Sequence, residues 1–347
     1  MHIKLRDREG RKKIWRHITS RTDKKSRIIA LVVCFYYFTS ISLVISNKVV
    51  LKGSSLPYPF FITWIQLVLA FLCFFFLDVL KEYFPFLSIF PPLTIDWRIA
   101  GQVLPMTTVF ILMVTTNNLC LQYVQLSFYQ VARSLSILFS LILSRVLFSE
   151  RTSWKAACTS LIIMVGFALG SWGEVPSQFS LAGLLFGVLS SFFVALNSIL
   201  VKSVGQKTFN NDQWMLMYYN TCLAIPLLLL LTIIKGELYE ALPMMFSLPL
   251  STYLSLLVTG LLGFLINIAI SLQIKYTSPL TNNVSGTFKG VFQIVISVIW
   301  FDNEITALNA LGSVLVLVGS GMYSHVRYTE MHNKEVAKSQ KKAKKGV

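Results

Sequence analysis

Residues 28–326 form a succession of ten apolar stretches, each about 20 residues long, parted by short polar or proline-bearing breaks. The stretches run over roughly 28–49, 59–80, 99–120, 126–148, 155–172, 181–202, 214–234, 252–272, 280–301 and 306–326. Nothing else in the sequence constrains the fold as much. In hydrocarbon every backbone N–H and C=O must be bonded within the protein, and an apolar stretch of this length meets that condition as an α-helix. Charged residues make up only 13% of the chain, against roughly 25% in soluble domains. The expected fold is therefore an all-α polytopic membrane protein of ten transmembrane helices.

The 31 Lys and Arg residues orient this bundle. Ten spans put both termini on one side. If that side is cytosolic, it holds 26 of the cations, in the two tails and the even-numbered connections, while the opposite side holds only Lys48, Lys52 and Lys235. This is the positive-inside pattern. The net charge of +16 thus reads as topology in a lipid membrane, and no nucleic-acid partner is expected. The chain divides into a basic cytosolic N-terminal tail (1–27), a ten-helix domain (28–328) and a Lys-rich cytosolic C-terminal tail (329–347). No cleavable leader is expected, because the basic N-terminus is followed by a full-length span. The five cysteines fall one to a span with no CxxC pair, which excludes a familiar zinc or disulfide framework.

Shifted by 153 residues, the chain places Leu119, Tyr123, Val131, Ser144, Phe148, Ala157, Ser160, Val165 and Gly166 on identical residues between Leu272 and Gly319, without a gap. Two halves of five helices follow, and an odd number of spans per half inverts the second copy. Inverted repeats are a transporter architecture, with substrate held near the midplane between the halves.

The candidate site falls in the ninth span. Asn282, Ser285, Gly286, Lys289 and Gln293 recur at intervals of three or four and share one helical face among Val, Ile and Phe. A charge as deep as Lys289 costs a few kcal/mol, so it faces a cavity or a partner. In the repeat register Lys289 matches Ser136, one turn from Arg133, and the fourth span has its own stripe of Tyr129, Arg133, Ser136, Ser140 and Ser144. Every Asp and Glu lies in a tail, a loop or a span end, so the sequence offers neither cation an acidic partner. A phosphate-bearing ligand would match them; the structural alternative is a cation that snorkels or bonds backbone carbonyls. The lack of intramembrane carboxylates also argues against a proton- or sodium-driven pump and for facilitated exchange.

The seventh span opens with Tyr218, Tyr219, Asn220 and Thr221, which join stacking surface to amide donors and acceptors suited to a nucleobase. An interfacial aromatic belt accounts better for Trp214 and Tyr218. Tyr37, Ser40, Asn47 and Lys48 of the first span and Asn117 and Asn118 of the third reach either the cavity or a neighbouring helix. The same holds for Asn197 of the sixth span and for Asn267 and Ser271 of the eighth.

The stretches LQYVQLSFYQVARSL (121–135), LQIKYTSPLTNNVSGTFKG (272–290) and YYN (218–220) resemble the nucleotide-sugar transporters of the drug/metabolite transporter superfamily, and within them the carriers of GDP-fucose. The resemblance covers about residues 28–328. It implies ten helices, a Golgi or ER membrane with both termini cytosolic, and GDP-fucose and GMP as exchanged substrates. Related GDP-sugar carriers hold guanine with an FYNN motif on the seventh helix, matched here by Tyr218-Tyr219-Asn220-Thr221 with the second Asn replaced. They hold the nucleotide with a GALNK motif on the ninth, aligned here with Ser285-Gly286-Thr287-Phe288-Lys289, where the Lys is kept and the Asn is lost. The resemblance implies Lys289 at the nucleotide and Asn220 and Tyr219 at the base, and the pattern of buried cations adds Arg133 to Lys289 at the diphosphate. Asn282, Ser285 and Thr287 are expected at ribose or sugar, with Gly286, Tyr129, Gln130 and Asn267 beside them. The last residues, Lys344-Lys345-Gly346-Val347, have the form of a dilysine signal for cycling through the ER, or of a Lys-rich tail drawn to anionic lipid.

The expected function is a nucleotide-sugar antiporter that moves GDP-fucose from cytosol to lumen against GMP by alternating access, with no cofactor. The alternatives are another nucleotide sugar (GDP-mannose or a UDP-sugar), a sugar phosphate, or an integral membrane transferase. The last finds no DxD, no paired His and no carboxylate within a span. Whether two copies pair as a homodimer is left open by the sequence.

Overall fold

The computed structural model describes residues 27–47, 56, 58–84, 94–124, 126–148, 153–172, 180–210, 212–277, 285, 286, 288–290, 292, 299 and 306–345. All regular structure among them is helical. The helices are α1 (Arg27–Asn47), α2 (Pro59–Leu80), α3 (Trp97–Tyr123), α4 (Leu126–Arg133), α5 (Leu135–Phe148) and α6 (Trp154–Trp172). They continue with α7 (Leu181–Lys207), α8 (Gln213–Ile234), α9 (Glu237–Met245), α10 (Leu250–Tyr276) and α11 (Ala307–Lys345). Eight are long and apolar enough to cross a membrane: α1, α2, α3, α6, α7, α8, α10 and the first 20 residues of α11.

These eight fall on eight of the ten expected stretches. The other two differ. The stretch 280–301 lies largely outside the described residues, and those within it, from Ser285 to Ile299, are helical. The stretch 126–148, expected as one helix, is two. α4 stops at Arg133, and Ser134 turns the chain, its hydroxyl and its N–H both donating to the Val131 carbonyl at 2.6 and 3.2 Å. The Ala132 carbonyl beside the turn accepts instead from the Ser191 hydroxyl of α7 at 2.7 Å. A break at this depth is tolerated because a neighbouring helix bonds the backbone group it frees.

The spans are apolar on every side, as membrane helices are. On α2, Leu72, Phe75 and Phe76 are exposed while Gln66, Ala70 and Phe74 are buried, so the polar group faces inward. Helix ends are closed locally. Asp96, Ser180 and Asp212 cap α3, α7 and α8 with side-chain oxygens. α2 opens on Pro59, and its Phe61 N–H donates to the Glu237 carboxylate of α9 at 2.9 Å.

Small residues set the closest helix contacts. α6 and α11 meet at Gly166, Gly170 and Gly312, so near that a Cβ on Gly312 would lie 2.4 Å from the Gly170 nitrogen. The amide of Asn309 pins this contact by donating to the Gly170 carbonyl at 3.1 Å. Elsewhere α3 packs on α7 and α8, and α2 on α8 and α10.

Candidate functional site

The deepest charge is Lys289, 4% exposed. Its ammonium donates to the Ser40 hydroxyl of α1 at 2.6 Å and lies 5.4 Å from the centre of the Tyr36 ring. Tyr36 and Ser40 are one turn apart, so a single face of α1 presents both. A hydroxyl and a π-face are weak counter-groups for a buried ammonium. No carboxylate bonds Lys289 among the described residues.

Arg133, at the last residue of α4, donates to the Tyr129 hydroxyl at 3.0 Å, and that hydroxyl donates in turn to the Asn117 amide oxygen of α3 at 3.0 Å. Gly286 lies beside Arg133 and Tyr36. A Cβ there would lie 3.5 Å from the Tyr36 hydroxyl and 3.8 Å from Arg133 Nε. Gly286 and Lys289 are three residues apart on the same helical segment, so both cations and Tyr36 border one space. One residue before Gly286, the Ser285 hydroxyl accepts from the Gln273 amide of α10 at 2.8 Å, while the Gln273 oxygen is buried with no partner among the described residues.

A second feature lies between α3, α7, α8 and α10. It is an open-mouthed cleft whose enclosed space is about 60 Å³. Met106, Phe110 and Met113 of α3 form an apolar wall. Asn197 of α7, Asn220 of α8 and Asn267 of α10 supply the amides. Asn267 spends its N–H on the Gly263 carbonyl at 3.0 Å. The side-chain oxygens of Asn197 and Asn220 are buried and have no hydrogen-bond partner among the described residues.

The cleft and the cation cluster are joined along α3. Met106, Phe110, Met113 and Asn117 succeed one another at intervals of four, three and four, which is one helical face. Asn117, the last link to Arg133, therefore lies about 6 Å along the axis beyond Met113. An elongated ligand lying against α3 would meet amides at one end and cations at the other.

Of the candidates read from sequence, Lys289, Arg133, Tyr129, Ser285 and Gly286 gather around the cations, and Asn220 and Asn267 line the cleft. Tyr219 has other partners: its hydroxyl accepts from the Asp96 N–H at 2.8 Å, and its ring packs on Phe209 and Tyr218. Asn282 and Thr287 lie outside the described residues, and Gln130 lies on α4 with its side chain outside them. Asn47 and Asn118 make interhelical bonds, to Gln66 and Thr63. The sequence reading missed Tyr36 and Gln273. Tyr36 precedes Ser40 by four residues, and that spacing was the available signal. Gln273 stands inside the quoted motif of 272–290 but on the preceding helix.

Three relatives share most of the chain. A protein of Dictyostelium discoideum named GDP-fucose transporter 1 is 45% identical over 305 residues, 87% of this chain and 82% of that one. The GDP-fucose transporter 1 of Mus musculus is 40% identical over 322 residues, 92% of this chain and 88% of its own. A Drosophila melanogaster protein named GDP-fucose transporter, Golgi, is 37% identical over 310 residues, 87% of this chain and 91% of that one. The Triose-phosphate Transporter family matches residues 27–324, and the chain belongs to that family of membrane carriers.

Proposed function

We propose that the chain is a nucleotide-sugar antiporter that carries GDP-fucose from the cytosol into the Golgi lumen, returns GMP, and does so by alternating access. The observation that carries this reading is the pair of cations, Lys289 and Arg133, bordering one space beside Gly286 with hydroxyls as their bonded partners. Two positive charges held there with no carboxylate partner among the described residues are costly while the site is empty, and a diphosphate relieves that cost with charge-assisted hydrogen bonds. The elongated ligand then runs along α3, with its base in the amide cleft at Asn220 and Asn267 and its diphosphate at the cations. Tyr219, fastened to Asp96, holds the α8 backbone that presents Asn220. Ser285 and Gly286, together with Asn282, Thr287, Gln130 and Tyr129, line the remaining path for ribose and sugar. The relatives' names favour fucose and the Golgi.

Helix positions support two inverted halves within a ten-helix domain of residues 28–328. Arg27 and Leu181, Pro59 and Gln213, Trp97 and Leu250, and Trp154 and Ala307 open α1 and α7, α2 and α8, α3 and α10, and α6 and α11; each pair is 153 or 154 residues apart. Packing follows the same relation, since α2 on α10 becomes α8 on α3 when the halves are exchanged. Both tails then face the cytosol, in agreement with the basic residues they carry.

The test is thermal-shift binding on the detergent-purified protein with GMP, GDP-fucose, GDP-mannose, UMP and CMP. Guanine nucleotides alone should raise the midpoint. Stabilisation by uridine nucleotides would leave the phosphate-binding cations in place and overturn the substrate.

A further inference from the structure

The half-buried amides of Asn47, Asn117, Asn118 and Asn267 each make a hydrogen bond, whereas the buried side-chain oxygens of Asn197, Gln213, Asn220 and Gln273 make none among the described residues. Of these four, Asn197 and Asn220 share one cleft, which they line from different helices. An unsatisfied buried acceptor keeps an uncompensated desolvation cost, and two in one apolar-walled cleft imply a ligand that brings two donors. Guanine presents two neighbouring donors on one edge, N1–H and the 2-amino group. Uracil offers a single N–H between two carbonyls, and adenine and cytosine each present an amino group beside an acceptor nitrogen.

We propose that Asn197 is a specificity-determining residue that reads the guanine 2-amino group, while Asn220 accepts from N1–H. The assignment rests on the guanine-nucleotide reading above. It gives the two asparagines separate tasks: Asn220 recognises a feature that guanine shares with hypoxanthine, and Asn197 recognises the amino group that hypoxanthine lacks.

The experiment measures competition by GMP, IMP and UMP for binding to the purified full chain and to Asn197→Ala. The wild type should bind GMP about tenfold more tightly than IMP, and Asn197→Ala should bring GMP down to the IMP level while leaving IMP unchanged. If the wild type binds GMP and IMP equally, or the variant weakens both alike, Asn197 does not read the amino group, although the guanine-nucleotide site stands. If UMP competes as well as GMP and IMP, the guanine reading falls too. Equal wild-type binding of GMP and IMP overturns the assignment even where Asn197→Ala does not fold.

Discussion

The Lys289 ammonium sits 5.4 Å from the centre of the Tyr36 ring and donates to Ser40 one turn further along α1. A helix from the start of the chain therefore holds a cation from near its end, and these partners are neutral. Substitution of Lys289 by Ala should lower nucleotide-sugar uptake on the order of 100-fold, because a buried charge pair to phosphate is lost. Expression and thermal midpoint should be kept or raised, since the empty protein loses a costly buried charge. Uptake into proteoliposomes with the amount of inserted protein measured alongside separates the two effects.

Tyr129 links Arg133 to Asn117 through one hydroxyl. Tyr129→Phe should weaken nucleotide binding by roughly fivefold to tenfold through a less firmly held guanidinium. Asn117→Ala acts on the same chain of bonds, so the double variant should be little worse than either alone. Additive losses in a binding titration would show that the two act separately.

A methyl group on Gly286 would make ordinary contacts, 3.5 Å to the Tyr36 hydroxyl and 3.8 Å to Arg133 Nε. Gly286→Ala should bind ligand nearly as the wild type does. Gly286→Leu should lose binding while remaining folded, as its side chain would fill the space between the cations. Equal binding by both variants would place the ligand elsewhere.

At the α6–α11 contact the outcome is structural. Gly312→Ala drives a methyl group into the Gly170 backbone and should cost about 1–3 kcal/mol or more. Gly101→Ala, with nothing within 4 Å of its Cβ, should leave the midpoint unchanged or slightly raised. A midpoint for Gly312→Ala equal to that of Gly101→Ala would contradict the close packing.

Glu237 lies outside the membrane-crossing helices and accepts from the Phe61 N–H. Burial pushes its carboxyl above the ordinary range, against the pull of the Phe61 and Phe60 N–H groups and Lys235. A raised folded-state value favours the protonated form, so this contribution to stability is fully present below the unfolded carboxylate range and is lost as pH rises through the shifted value. Glu237→Gln should match the wild-type midpoint at low pH and exceed it increasingly as pH rises. A gap between the two that does not change with pH would remove Glu237 as its source.

The spans were legible because length and apolarity suffice to define a membrane helix. The cation pair was legible because Lys289 and Arg133 are charges within such spans. The break at Ser134 was not, since its freed carbonyl is bonded by Ser191, 59 residues away along the chain. Nor was the role of Tyr219, whose pairing with Asp96 joins two helices through one backbone N–H. Asn197 and Asn220 stood among many asparagines in the sequence; what singles them out is that they share a cleft and that no described residue bonds their oxygens. Periodicity assigns a residue to a face, and tertiary partners decide what that face does.

The measurement closest to the central claim is counterflow in proteoliposomes. Purified protein is reconstituted into vesicles loaded with GMP, with UMP or with buffer, and entry of labelled GDP-fucose is followed. GMP-loaded vesicles should accumulate label well above the other two, and Lys289→Ala should reduce that signal to the level of protein-free vesicles. Equal entry into all three wild-type preparations, or full activity of Lys289→Ala, would contradict the exchange of guanine nucleotides through the Lys289–Arg133 site.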